Sequence, residues 1–334
     1  MISDPLILVI GSNSISGASF VRHCLEQGRT VIGVSRSAEL PACFLPYRWL
    51  DDAAQNKFSF HQLDLNHDTA SILDLVSANG CARVVNFAAQ SMVAESWANP
   101  EHWYQTNVVA NVRLHDGLRK ISCLKRYVHI STPEVYGSCE GTVTENENYR
   151  PSTPYAASRA ACDLHLMTFF RQYGFPVCFT RAANVYGAGQ QLYRIIPRTV
   201  MAVLTGKKLQ LQGGGHSVRS FIHLDDVASA TLRIADAGAP GETYHISTSR
   251  FVSIRELVEL ICERMGAEFS DVAEVVEDRP GKDAAYLLDS TKCRKQLGWN
   301  DRTGLEEGID SVIAWARARQ HELELQPLTY QHKP

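Results

Sequence analysis

Six short apolar runs punctuate the first half of the chain: Leu6–Ile10, Thr30–Val34, Phe58–Leu63, Arg83–Phe87, Tyr127–Ile130 and Val177–Thr180. Between them lie Ala18–Gln27, Ala70–Ser77, Trp103–Lys120 and Tyr155–Tyr173, whose apolar residues recur with helical spacing. Short continuous apolar runs suit strands buried on both faces, and their alternation with helices over short links predicts a doubly wound parallel sheet. Such sheets hold ligands at the carboxyl ends of their strands, so functional residues are expected just after each run. Beyond about Gly187 the rhythm changes. Helices are expected at Ile196–Thr205, from Asp226, at Ser253–Met265 and at Leu305–Arg319, with a strand at Ser220–His223 and a turn at Gly213–Gly215. The expected organisation is a unit over 1–186 with return segments near 220–248, interleaved with a smaller mixed lobe over 187–330. A polar, frayed tail is expected after about Leu325.

Composition narrows the function classes. In 334 residues, Lys+Arg 33 against Asp+Glu 36 gives a net charge of −3, which argues against nucleic-acid or polybasic membrane partners. An anionic small molecule held by locally placed arginines stays open. No apolar run approaches the roughly 20 residues that span a bilayer. The start reads as a first strand feeding a glycine loop, without the basic flank of a signal peptide. The nine cysteines are scattered, with no Cys-x-x-Cys, and the twelve histidines form no zinc pattern. A cytoplasmic protein with small thiol fillers and no metal is expected.

Gly11-Ser12-Asn13-Ser14-Ile15-Ser16-Gly17 lies between the first strand and first helix, where small residues let backbone N–H groups and a helix N-terminus meet a pyrophosphate. The usual middle glycine is Ser14, so the pattern alone also fits an ordinary turn; its place at the head of an alternating chain favours a dinucleotide. Gly11, Ser12, Asn13, Ser14, Ile15 and Gly17 are the candidates. The second strand runs into Ser35-Arg36-Ser37, where an acidic residue would hold the ribose of NAD. A guanidinium with two hydroxyls suits the 2′-phosphate of NADP instead. NAD, with Arg36 merely at the surface, is the alternative. Asp64 and Leu65 after the third strand, and Phe87, Ala88, Ala89 and Gln90 after the fourth, complete the expected cofactor site.

Ser131-Thr132-Pro133-Glu134-Val135-Tyr136-Gly137 follows the fifth strand, and Tyr155 and Arg159 stand one helical turn apart on a shared face. A cation beside a phenol favours the phenolate, whose ordinary pKa is about 10. Tyr155 is therefore expected to act as a base with a lowered pKa.

Together these motifs resemble the extended short-chain dehydrogenase/reductase family and, within it, the nucleotide-sugar 4,6-dehydratases. The resemblance continues through Arg181-Ala-Ala-Asn184-Val-Tyr186-Gly187, Arg219-Ser-Phe-Ile-His223-Leu-Asp225-Asp226, Arg279-Pro-Gly-Lys-Asp283 and Leu297-Gly298-Trp299. It implies a Rossmann-like α/β domain with a mixed α/β substrate lobe, and a recycled NADP or NAD that oxidises C4 of a nucleoside-diphosphate hexose and returns hydride at C6 after water has left. Thr132, Glu134, Tyr155 and Arg159 are then catalytic, Tyr155 and Arg159 also touch the cofactor, and Ser91, Asn184, Arg194, Arg219 and Arg279 hold the substrate. It also implies a homodimer packed through the helices at Trp103–Lys120 and Tyr155–Tyr173, with Val108, Val112, Leu166 and Phe170 as candidate contacts, although the same pattern would serve an internal core.

Two departures stand out. The family's usual lysine is Arg159. The dTDP-glucose enzymes carry Thr-Asp-Glu where this chain has Thr132-Pro133-Glu134, and their aspartate protonates the departing C6 hydroxyl. GDP-mannose 4,6-dehydratases also lack that aspartate and keep the glutamate. A 4-epimerase, a UDP-glucuronate decarboxylase and a cofactor sensor without chemistry remain the alternatives.

Overall fold

The computed structural model describes residues 6–139, 141–277 and 287–333. Seven strands form the central sheet: β1 (Ile7–Ile10), β2 (Val31–Ser35), β3 (Phe58–Gln62), β4 (Arg83–Asn86), β5 (Arg126–Ile130), β6 (Val177–Ala182) and β7 (Thr243–Ile246). Their order is β7-β6-β5-β4-β1-β2-β3, and every pairing is parallel. The order reverses between β1 and β4, where Ile10 is in register with both Val34 and Asn86. A crevice opens at such a switch point.

The pleat explains the double winding. Ile7 and Val9 enter one apolar cluster with Phe20, Val21 and Ile234, while Leu8 and Ile10 enter another with Ile72, Val84 and Leu114. The first cluster is covered by α1 (Ile15–Glu26), and the second by α2 (Thr69–Ala78) and α3 (Pro154–Tyr173). Full burial of each such aliphatic side chain contributes about 1.5–3 kcal/mol. Four further long helices are α4 (Ile195–Thr205), α5 (Leu224–Ala237), α6 (Ile254–Met265) and α7 (Leu305–Ala318). Of these, α5 packs against α1 on the sheet. A third cluster, with Tyr186, Ile196, Val200, Leu257, Ile261, Ile309 and Trp315, forms the core beside it.

Several shared motifs have structural work. The Asp226 carboxylate accepts the N–H groups of Arg302 and Thr303, at 2.9 and 3.1 Å, and the Trp299 indole donates to the Asp226 carbonyl at 3.1 Å. The Phe221–His223 strand pairs in parallel with Asn184–Tyr186. These contacts fix the second core to the sheet. No helix among the described residues is long and apolar enough to cross a membrane.

Three expectations change. The helix expected over Trp103–Lys120 runs without interruption from Pro100 to Leu118, but Gln105–Ala110 within it are π-helical, between α-helical Pro100–Tyr104 and Asn111–Leu118. Leu166 is fully buried in its own subunit's core, and Phe170 packs against the same cluster, so Leu166 supplies no intersubunit contact. The segment after Leu325 is docked instead of frayed: Leu328 packs on the third cluster, and Tyr330 and His332 make ring contacts with the body of the protein.

Candidate active site

The loop after β1 is as tight as its sequence implies. Gly11 has φ +83°, and a Cβ there would lie 2.6 Å from the Ala88 nitrogen; one at Gly17 would lie 2.2 Å from the Gly11 carbonyl oxygen. Both positions therefore require glycine. Ser14 caps α1 by accepting from the Gly17 N–H at 3.1 Å and donates to the Gly11 carbonyl at 2.7 Å. Ser14, Ile15 and Ser16 line the cleft, presenting the N-terminus of a twelve-residue helix to it. Such a terminus favours an anion.

The neighbouring loops brace this turn. The Ser35 hydroxyl accepts from the Asn13 N–H at 2.9 Å and faces the buried Ser12, so it supports the loop from within. The Asn13 side chain donates to the carbonyls of Ser37 and Ala38, at 3.0 and 2.9 Å. Arg36, the cation of the triplet, follows β2, and its guanidinium donates to the Lys333 carbonyl at 3.2 Å. The Asp64 carboxylate accepts from the Asn66 N–H at 2.8 Å, while Leu65 is buried in the core. Both shape the end of β3.

After β4, Asn86 accepts from the Ala88 N–H at 2.9 Å, and Phe87 packs on Phe20. The π segment now has a role, for it turns Asn107 into this loop. Asn107 accepts from the Gln90 N–H at 2.9 Å and donates to the Gln90 carbonyl at 3.0 Å and to Ser158 at 2.9 Å. One side chain thus joins the loop after β4 to α3. Single-turn π insertions commonly accompany functional sites, and the sequence carried no signal for this one.

Pro133 occupies the first position of a 3-10 turn, Pro133–Tyr136, where its fixed φ and missing N–H cost nothing. Thr132 caps that turn, accepting from the Glu134 N–H at 3.3 Å. Tyr155 begins α3 just behind Pro154, under the Thr153 cap, and is 9% exposed. Thr132 hydrogen-bonds the Tyr155 phenol. Burial, then the Glu134 carboxylate, push the phenol's pKa up, while Arg159, the Thr132 bond and Arg194 pull it down. The net direction is upward. The expected lowering is corrected: Arg159 acts in the expected sense, but burial outweighs it.

Arg159 is 2% exposed. Its Nη2 donates to Nε2 of His129 at 3.2 Å and to the Ile130 carbonyl, and its Nε and Nη1 are buried with no hydrogen-bond partner. Burial and the guanidinium keep His129 neutral, hence an acceptor. Orphan donors beside Tyr155 on the cleft wall, together with the pressed glycine loop, fit a dinucleotide whose sugar hydroxyls would satisfy them. His115, His129 and Cys162 bring ligand atoms within 4.8 Å of one another. Yet Nε2 of each histidine is engaged, by Tyr127 and by Arg159, and the guanidinium opposes a second cation there.

Behind the Pro133–Tyr136 turn lies a buried ion pair. Arg181 donates to Asp163 at 2.8 Å and to the hydroxyls of Tyr149 and Tyr136, while Ser131 donates to the same Asp163 oxygen at 2.6 Å. Ser131, Tyr136 and Arg181 of the shared motifs therefore hold the turn against α3.

One cleft of about 840 Å³ gathers Ser14, Ile15, Phe87, Ala89, Ser91, Thr132, Glu134, Tyr155, Arg159, Asn184, Arg194 and Arg219. Gly11, Ser12, Asn13, Gly17, Ser35, Arg36, Ser37, Asp64, Leu65, Ala88 and Gln90 are not on its wall; they frame the strand ends beside it. Arg279 lies outside the described residues. Sequence reasoning missed Leu40, Pro41 and Phe44 and the segment around Tyr330, all of which line the cleft.

Comparison with known proteins agrees with this geometry. The profile of the GDP-mannose 4,6 dehydratase family matches residues 8–312. A dTDP-glucose 4,6-dehydratase of Mycolicibacterium smegmatis is 33% identical over 94% of this chain and 94% of its own length. A trifunctional UDP-glucose 4,6-dehydratase/epimerase/reductase of Arabidopsis thaliana is 31% identical over 77% of this chain, which spans 39% of that protein's length. The dTDP-glucose 4,6-dehydratase of Streptomyces venezuelae, solved with NAD bound, superposes with a TM-score of 0.87 at 31% identity, covering 96% of this chain and 99% of that one. Agreement of this extent, reaching from the glycine loop to the last helices of the second core, fixes the kinship: the chain belongs to the nucleotide-sugar 4,6-dehydratases of the extended short-chain dehydrogenase/reductase family.

Proposed function

We propose that this protein converts a nucleoside-diphosphate hexose to its 4-keto-6-deoxy form, with Tyr155 and Glu134 as two bases of separate steps. The observation that carries the reading is their convergence: a phenol bonded to Thr132 feels the Glu134 carboxylate in the cleft that also holds Asn184, Arg194 and Arg219. When bound, the nicotinamide supplies a two-electron acceptor that oxidises C4 and afterwards reduces C6. Tyr155 takes the C4 hydroxyl proton while Thr132 holds that oxygen. The ketone acidifies the C5 hydrogen, and Glu134 removes it. Pro133 has no side-chain proton to give, so the C6 hydroxyl leaves as water with a proton from Glu134 or from a water that Glu134 holds. Asn184, Arg194, Arg219 and Arg279, with Ser91, bind the nucleoside diphosphate, for which guanidinium forks are suited. An epimerase oxidises C4 and returns the hydride to the other face of C4 without elimination, and a carboxylate next to its ketone would promote unwanted loss of the C5 proton.

NADP is the proposed resident cofactor, supported by Arg36 just after β2; the related solved structure holds NAD. A homodimer is also proposed, with Leu164 (48% exposed) and Val109 (40%) replacing Leu166 as the apolar contacts. A monomeric mass in solution contradicts it. The test of the activity is incubation with dTDP-, UDP-, GDP- and CDP-hexoses, followed by mass analysis of products and of the nucleotide released on denaturation. Loss of one water from one substrate, with NADP released, is expected. Unchanged mass with inverted stereochemistry would establish an epimerase, loss of carbon dioxide a decarboxylase, and NAD alone would refute the cofactor assignment.

A further inference from the structure

The segment beyond the short helix Gln320–Glu324 crosses the mouth of the dinucleotide crevice. Its fixing points are specific. The Lys333 carbonyl accepts from Gln90 Nε2 at 2.7 Å and from the Arg36 guanidinium at 3.2 Å. Gln90 belongs to the loop after β4, and Arg36 follows β2, so this carbonyl bridges the two sides of β1 and its glycine loop. The His332 ring stacks on the buried Trp103, centroids 5.2 Å apart at 16°, and its Nε2 lies 2.8 Å from Nδ1 of His102. Tyr330 meets Tyr193 edge-on at 5.5 Å, on the wall that carries Arg194. Gln326, Thr329 and Tyr330 line the cleft itself.

We infer that residues 326–333 are part of the cofactor site: a strap that closes over the adenosine half of the dinucleotide and holds it in place between turnovers. A dinucleotide lying along the strand ends between Arg36 and the nicotinamide side near Tyr155 must pass beneath the bridge from Gln90 to Arg36. Release of the dinucleotide then requires Lys333 to leave both donors and His332 to leave Trp103. This inference rests on the dehydratase reading only for its purpose: a reaction that returns its cofactor to the starting state within each turnover gains from retention and loses nothing by it.

The test is a chase on the full-length chain, on a variant ending at Leu325 and on the point variant His332→Ala, which keeps the chain length and removes the ring stacked on Trp103. Each is loaded with NADPH and, in parallel, with NADH, then mixed with a large excess of the oxidised form, and the nicotinamide fluorescence is followed. Loss of the two bonds to the Lys333 carbonyl, one of them charge-assisted, should raise the dissociation rate by about ten- to a hundred-fold in the shortened chain, and His332→Ala should fall between it and the full-length chain. Release from the full-length chain as fast as from the shortened one, or slower release after shortening, overturns the strap. Failure of the dehydratase reading would appear instead in the product masses, with the chase unaffected.

Discussion

The Tyr155 phenol sits under opposed influences, and their balance decides when it can act. Burial and Glu134 raise its pKa, while Arg159 lowers it. With the phenolate as the proposed base, the oxidation step should quicken as pH rises. Removing the Arg159 charge removes a lowering influence, so Arg159→Leu should move the acid limb of the pH–rate profile to higher pH, and Arg159→Lys should return it toward the wild type. The check is the rate of reduced-cofactor formation against pH; superimposable profiles for Leu and wild type would show that Arg159 does not act on the phenol. Much of this residue-scale site was legible, because Thr132 and Glu134 directly follow a strand and Tyr155 and Arg159 stand one turn apart at the head of a helix. The net direction of the phenol's shift was not, since burial depends on Pro154, Thr153 and the 3-10 turn closing around it.

Among the elements, β1 to β6 were readable from their apolar runs; β1, β2, β4, β5 and β6 are buried over most of their length, while β3, at the sheet edge, is only partly covered. β7, Thr243–Ile246, escaped: its four residues include Thr243 and His245, which interrupt the apolar signature. The π segment within the Trp103–Lys120 helix escaped for a different reason. Asn107 and Asn111 look like ordinary polar positions until the π segment turns them toward Gln90 and Asn86. The strap at 326–333 escaped because its contacts use a backbone carbonyl and two rings, which leave no periodic trace. At this scale α3 and β6 meet through Asp163 and Arg181, both fully buried. Breaking one partner strands a charge, so Asp163→Asn should cost about 3–5 kcal/mol. Urea denaturation measures it; a loss below about 1 kcal/mol, typical of an exposed pair, would contradict the pillar.

Across the whole molecule, burial lowers the pKa of His115, His129, His165, His223 and His245, the last to about 3. Each is neutral in the folded chain and titrates near 6.5 when unfolded. The unfolded chain therefore binds more protons below that value, so stability is full above about pH 6.5 and falls as pH drops toward the folded values, by up to about 1.4 kcal/mol per pH unit per group. Thermal unfolding across pH 8 to 5 should show a steady decline in Tm below about pH 6.5; a flat profile would contradict neutral burial of these rings. The activity brings together both lobes, the strap and the catalytic turn, and its central claim is that oxidation and elimination belong to different residues. The most direct test is a single turnover of Glu134→Gln with the sugar nucleotide that the wild type dehydrates, watched by the absorbance of reduced nicotinamide. Reduced cofactor should accumulate while 4-keto-6-deoxy product falls by about 10²–10⁴-fold in rate, and Tyr155→Phe should show neither. Full product formation by Glu134→Gln would contradict the account.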